Sequence, residues 1–289
     1  MSKGERPGSP SVRARIAAQQ AEQRRKDQRR RIFAVGGVVV ALLAVIGIVI
    51  GALVSHSSSA SPAAGAQPLP AGVQADLTVP ASTFAAVGIG SSSTQYLKHV
   101  TGSALTSGGK PEMLYIGAEW CPYCAAERWA MATALSRFGS FSPLKGVHSS
   151  ASDVYPNTAT LTFYGATYTS KYLVFTPVEN EDVNHNLLVA PTSAQQALWA
   201  QYDPPGDTYP FIDIGNRYIA AVTYNPQVLQ GLSWSQIASD LHNPSSAVAQ
   251  GAVGSANLMT AAICKITGNA PASVCAAAPI PALQARLPG

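Results

Sequence analysis

The sequence predicts an α/β domain, a small mixed sheet flanked by helices with insertions and a C-terminal helical extension, placed behind a single transmembrane helix. Three observations predict it. Residues 32–54 form an unbroken apolar run. Beyond them the apolar patterns follow the order strand, helix, strands, helix, hairpin, helix, which describes an α/β arrangement. All four cysteines fall after the run, two of them where a strand hands over to a helix.

The N-terminal quarter sets the topology. Residues 1–31 carry ten Lys or Arg against three acids, a net +7, so the remaining 258 residues hold −3 of the overall +4. IFAVGGVVVALLAVIGIVIGALV (32–54) has 23 residues and no charge, and a helix of that length spans roughly 30–35 Å, the hydrocarbon core of a bilayer. A secretory signal has a shorter apolar stretch, roughly 7–15 residues. ASPAAGA (60–66) offers small residues for cleavage, but the long span and the long leader favour an uncleaved anchor. RRKDQRRR (24–31) precedes the span and no Lys or Arg occurs in SHSSSASPAAGAQPLPAG after it. The positive-inside rule then puts the tail in the cytoplasm and residues 55–289 outside, as a single-pass membrane protein. Topology and attraction to anionic headgroups account for the basic tail, so no nucleic-acid partner is expected. Gly47 and Gly51 form a GxxxG pair, a weak dimerisation signal.

Residues 55–75, rich in Ser, Ala, Pro and Gly, read as a flexible linker. The folded domain is expected over 76–280, beginning with a short helical pattern in LTVPASTFAAVG (77–88), and 281–289 is expected to be a tail. Gly and Pro punctuate GGKPEMLYIGAEW (108–120) before MLYIGA, an apolar run suited to a buried strand. CAAERWAMATALSRF (124–138) is helical in composition, and Pro122 falls at its start, where a missing N–H costs nothing. TATLTFYGATYT (158–169) and SKYLVFTPVE (170–179) are dense in β-branched and aromatic residues and read as strands. SAQQALWAQY (193–202) reads as a helix, PFIDI and RYIAAVTY flank a Gly-Asn turn as a hairpin, and SWSQIASDLHNP (233–244) and AVGSANLMTAAICKI (252–266) read as helices, the last ended by Gly268.

Cys121 and Cys124 in GAEWCPYC therefore sit between a buried strand and a helix N-terminus. A thiol at that end lies beside unsatisfied N–H groups and the positive end of the macrodipole, which favours its thiolate. Exchange needs such a nucleophile and a nearby second thiol to resolve the mixed disulfide. Cys121 fits the first role and Cys124, more buried, the second, with Pro122 and Tyr123 shaping the turn. Glu119 and Glu127 would oppose the thiolate somewhat, and Arg128 would support it if it folded back; Glu127 and Arg128 are expected on an exposed helix flank. Trp120 is placed to contact a substrate. Two other readings stay open: half of a zinc site completed by Cys264 and Cys275, although their ten-residue spacing is wide for a structural zinc pair, and an inert disulfide that only braces the helix.

AEWCPYC at 118–124 after a buried strand, with TYPF at 208–211 leading into the last hairpin, resembles the thioredoxin superfamily. YIGAEWCPYCAAERWA, YPFIDIGNRY and the distal cysteine pair are most similar to an uncharacterised family of actinobacterial membrane-anchored thioredoxin-like proteins. The resemblance implies a thioredoxin-like fold, a cis Pro210 after Tyr209 facing the dithiol, and thiol–disulfide oxidoreductase activity, but it brings no substrate. The compartment points to cysteines of exported proteins, and the electrons need a partner, such as a membrane redox protein. It departs from the family at Tyr115, where thioredoxin has a buried acid that assists the resolving thiol. The alternative is a non-catalytic thioredoxin-fold interaction domain.

Cys264 and Cys275 read as a structural disulfide on the C-terminal extension, with a second redox pair as the other reading. The five histidines show no ligand-like spacing, so no metal is expected, and no cofactor-binding loop is present. Phe163, Tyr164, Tyr168, Tyr172, Phe175, Trp199 and Tyr202 are expected in core and sheet packing. No nucleotide-binding loop, zinc-protease motif or serine elbow occurs, which excludes those enzyme classes.

Overall fold

The computed structural model describes residues 65–289. The basic tail, the apolar span 32–54 and linker residues 55–64 lie outside the described residues. Among the described residues no helix is long and apolar enough to cross a membrane.

The central strand β1 (Lys110–Ala118) is buried from Met113 onward. Helix α1 (Pro122–Leu135) follows it, and β2 (Val174–Glu181) returns parallel to β1, with Tyr115 opposite Pro177 and Gly117 opposite Glu179. After helix α2 (Ser193–Tyr202), β3 (Phe211–Ile214) runs antiparallel to β1. β4 (Tyr218–Ala220) then runs antiparallel to β3. The strand order is β2-β1-β3-β4, with Lys98–His99 added beyond β4. Helices α3 (Trp234–Asp240) and α4 (Gly254–Ile266) follow, α4 entered through a π turn at Ala249–Val253. The protein is thus a mixed α/β fold, as its sequence predicts.

The sequence explains these elements locally. Thr192 and Gln195 form a reciprocal capping box that starts α2 where expected, and Ser233 with Gln236 does the same for α3. Gly215 and Asn216 both have positive φ, +71° and +51°, as the central residues of the β-turn that the Arg217 N–H closes on Ile214 O, within the 215–217 loop that joins β3 to β4. Pro177, which cannot donate to a ladder, is tolerated because, among the described residues, β2 pairs within the sheet with β1 alone.

Apolar side chains fill both sheet faces. Met113, Tyr115, Ile212 and Ile214 pack with Trp129, Met131 and Leu135 of α1 and with Leu258, Met259 and Ala262 of α4. Leu114, Ile116, Val178 and Phe211 pack with Trp199 of α2 on the other side. Each such side chain contributes about 1.5–3 kcal/mol when fully buried.

Between α1 and β2 the chain inserts two small sheets. Gly139–Phe141 pairs with Tyr168–Ser170, while Lys145–His148 pairs with Ala159–Thr162 and with Gln67–Pro68. The insertion sits on α1: the Trp129 indole N–H donates to Ala159 O at 3.0 Å and Thr160 Oγ1 to Ala125 O at 2.7 Å. From the other flank Tyr224 Oη donates to Ala126 O at 2.7 Å. Covered on all these sides, α1 is buried at every position but Tyr123.

Several expectations need correction. The exposed flank proposed for Glu127 and Arg128 does not exist, because both are wholly buried. The strand read over 158–169 is broken by a turn at Phe163–Thr167, where Gly165 has φ +75°. Tyr164 lies in that turn and is 45% exposed rather than part of the core. The linker read through residue 75 already packs: Gln67–Pro68 is a strand, and the Gln74 carboxamide accepts from Leu144 N at 2.8 Å. The tail read over 281–289 begins inside a helix, Ile280–Gln284, whose Ile280 and Leu283 are buried.

Candidate functional site

The C-terminal end of β1 delivers the chain into α1 through Trp120 and Cys121. Cys121 is the N-cap of α1: its backbone is extended and its sulfur accepts from the Cys124 N–H at 3.3 Å. Pro122 occupies the first helical position, where no N–H is required. Both cysteines are free thiols. The Cys124 thiol's hydrogen bond to Cys121, helped by backbone N–H groups and the charge of Arg128, outweighs burial and lowers the Cys121 thiol below its ordinary value. Burial, followed by the interaction with Cys121, raises Cys124 well above its own. The two thiols are therefore pushed apart, Cys121 toward the thiolate and Cys124 toward the protonated thiol.

Facing them is the segment entering β3. The Tyr209–Pro210 peptide bond is cis, and Tyr209 O lies 3.9 Å from Cys121 Sγ. The Tyr209 ring stands edge-on to Trp120 and lies against Trp199, and its hydroxyl bonds to Asn180. Trp120 is half-buried, its indole N–H donating to Glu181 Oε2 at 2.7 Å, with the His185 ring 4.6 Å away. Across the site, Tyr123 meets Tyr155 of the insertion edge-on, and the Ser150 N–H donates to Trp120 O at 2.8 Å. All the residues singled out for this site, namely Trp120, Cys121, Pro122, Tyr123, Cys124, Tyr209 and Pro210, converge here.

Beneath the dithiol lies an ionic layer. Arg128 Nε and Nη2 donate to the two carboxylate oxygens of Glu179 at 2.8 and 2.7 Å, and Nη2 also donates to Ala118 O at 2.7 Å. The guanidinium lies 5.9 Å from the centroid of the Tyr115 ring. Glu119 accepts from Thr162 Oγ1 at 2.6 Å, and burial raises its pKa. Glu127 faces away, toward Thr223, whose N–H and hydroxyl it accepts at 2.6–2.9 Å, and burial pushes its pKa up to about 8. Sequence reasoning missed Glu179 and His185. Glu179 lies 51 residues from Arg128, with no local signal to link them. His185 belongs to DVNHN, whose Asp and Asn residues do signal a turn after β2.

Cys264 and Cys275 form a disulfide. Their bond removes the thiolates that a four-cysteine zinc site would need. A cleft of about 480 Å³ lined by Leu105, Pro111, Gly215, Arg217, Lys265 and Ile266 opens at the other end of β1, apart from the dithiol.

Residues 96–203 match a family model described as a domain of unknown function (DUF929). The matched stretch includes Cys121 and Cys124 but stops short of Pro210 and the disulfide. No curated protein and no solved structure matches the chain.

Proposed function

We propose that this chain is a membrane-anchored thiol–disulfide oxidoreductase of thioredoxin-like fold, working outside the cytoplasmic membrane on cysteines of exported proteins. The observation that carries the reading is the placement of Cys121: its sulfur caps α1 and faces the Tyr209 carbonyl that precedes Pro210. The strand order β2-β1-β3-β4, with β1 parallel to β2 and a closing antiparallel hairpin, supports the fold assignment. The basic segment 24–31 and the span 32–54 support the location.

Exchange at this site follows from the separated thiols. The Cys121 thiolate attacks a substrate disulfide, forming a mixed disulfide and releasing one substrate sulfur as thiolate. Cys124 then attacks Cys121, closing the Cys121–Cys124 bond and releasing the second. In the oxidising direction the same steps run in reverse, with a substrate thiolate attacking Cys121 of the closed pair. A stabilised Cys121 thiolate favours the reduced protein and makes the closed form a better oxidant, so the oxidising or isomerising direction is the better supported.

The test is the reduction potential of the pair. Full-length protein in detergent is equilibrated in glutathione buffers and alkylated, and Cys121 and Cys124 are assigned by mass. The expected midpoint lies between about −120 and −230 mV, and a value near −270 mV would indicate a reductase. A pair still closed below about −300 mV would leave only a braced binding domain.

A further inference from the structure

Tyr115 lies on the face of β1 that looks toward α1, and it is fully buried, its hydroxyl making no hydrogen bond of ordinary geometry among the described residues. Its ring meets Phe163 edge-on on one side and the Arg128 guanidinium on another. The phenol lies along the strand toward the dithiol. Gly117, two residues on and on the same face, makes this possible: a Cβ there would collide with the Tyr115 hydroxyl and the ring carbon bearing it. The position therefore combines a missing side chain, an unused buried donor and a cation fixed by Glu179, with the Cys124 thiol close enough to act on the phenol.

We infer that the Tyr115 hydroxyl donates a hydrogen bond to the Cys124 sulfur as that sulfur becomes negative during resolution of the mixed disulfide. The inference rests on the exchange reading above. In the step itself, Cys124–SH and the Cys121–S–S–R mixed disulfide give the Cys121–Cys124 disulfide and R–SH. The electron pair of the broken bond goes to the substrate sulfur, and the Cys124 proton ends there. Tyr115 keeps its own proton and lends only the hydrogen bond, while the Arg128 guanidinium, anchored on Glu179, supplies fixed positive charge. A phenol suits this task, because burial outweighs the pull of the Arg128 charge and holds its proton firmly. A buried polar group left unpaired is costly, which makes an intermittent partner the natural explanation for the idle hydroxyl.

The experiment uses the full chain with Cys121 and Cys124 reduced and one equivalent of 5,5′-dithiobis(2-nitrobenzoate). Attack by Cys121 releases a first coloured thiolate and closure by Cys124 a second. In Tyr115→Phe the first release should keep its rate, while the second slows about tenfold or more, the size expected for one hydrogen bond to a charged group, and its pH profile moves upward. A fluorinated tyrosine at 115, a stronger donor, should instead speed the second release and move the profile downward. Equal second phases in wild type and Tyr115→Phe overturn the inference, as does a wild type that stops after the first release. A wild type releasing neither thiolate sinks the exchange reading as well. If Tyr115→Phe fails to fold, the fluorinated protein decides alone, and an unchanged second phase there counts against the inference.

Discussion

The molecule holds two cysteine pairs, and burial does not tell them apart. Cys121 and Cys275 are each 3% exposed, Cys124 and Cys264 0%. What differs is where each pair meets a helix. Cys121 and Cys124 open α1, at the positive end of its dipole and over the Arg128–Glu179 pair. Cys264 stands in the last turn of α4, at the negative end, and is bonded to the last residue of the short helix Ala272–Cys275. The first location favours a thiolate and the second opposes one. Placement relative to the helix, more than depth, separates a pair fit for exchange from one fit for bracing.

The sharpest way to break this contrast is to remove each pair in turn. Cys121→Ala should abolish exchange with a reduced cysteine peptide, followed by mass spectrometry. Replacing Cys264 and Cys275 together by Ala should leave the exchange rate within a few-fold. A loss of activity in the double variant would mean that the distal pair relays electrons.

Arg128→Met tests the ionic layer. It leaves the Glu179 carboxylate buried without its partner, a loss expected to cost about 3–5 kcal/mol in urea unfolding. The same melts should show about 3 kcal/mol lost in the Cys264/Cys275 double variant, from the freed loop of the unfolded chain. A negligible loss on Arg128→Met would mean that water reaches Glu179, contrary to its burial.

How much of this was legible in the sequence depended on the range of the interaction. Helix α2 occupies the predicted residues because its capping box is local, Thr192 to Gln195. The place of Cys121 is equally local, a Cys-Pro step after an apolar strand. The burial of Glu127 and Arg128 was not legible. An isolated helix of this composition would offer a polar flank, and it is the insertion 139–173 and the segment around Tyr224 that cover it. Such coverings come from chain far away in sequence, and no periodicity within α1 announces them. The Gly117–Tyr115 fit was hidden for a related reason: it concerns an absence of side chain, which acquires meaning only once the ring's direction is known.

Glu127 offers a smaller effect. Its pKa is raised to about 8 in the folded protein by burial, so the native state binds more protons than the unfolded chain between about pH 4.5 and 8. This contribution to stability is complete below the unfolded value and is lost as pH rises through the folded one. Unfolding free energy should fall across that window by at most about 1.4 kcal/mol per pH unit for this proton, and Glu127→Gln, which keeps an acceptor for Thr223, should flatten the slope. An unchanged slope would put the titration elsewhere, with Asp213, raised by burial to about 7, as the next group to replace.

The smallest effect belongs to the rim of the Cys121–Cys124 pair. Trp120→Phe removes the indole N–H that bonds Glu181 and loosens the stack with His185 while leaving a ring beside Tyr209. One partly solvated hydrogen bond contributes about 1 kcal/mol, so exchange with a cysteine peptide should fall only a few-fold and the urea midpoint should barely move. A loss well beyond tenfold with an unchanged midpoint would make Trp120 a substrate contact rather than a wall of the site. The contrast between the two cysteine pairs would then extend to the surface, since the residue before Cys121 would select what the thiol meets, a role for which the disulfide-closed pair has no use.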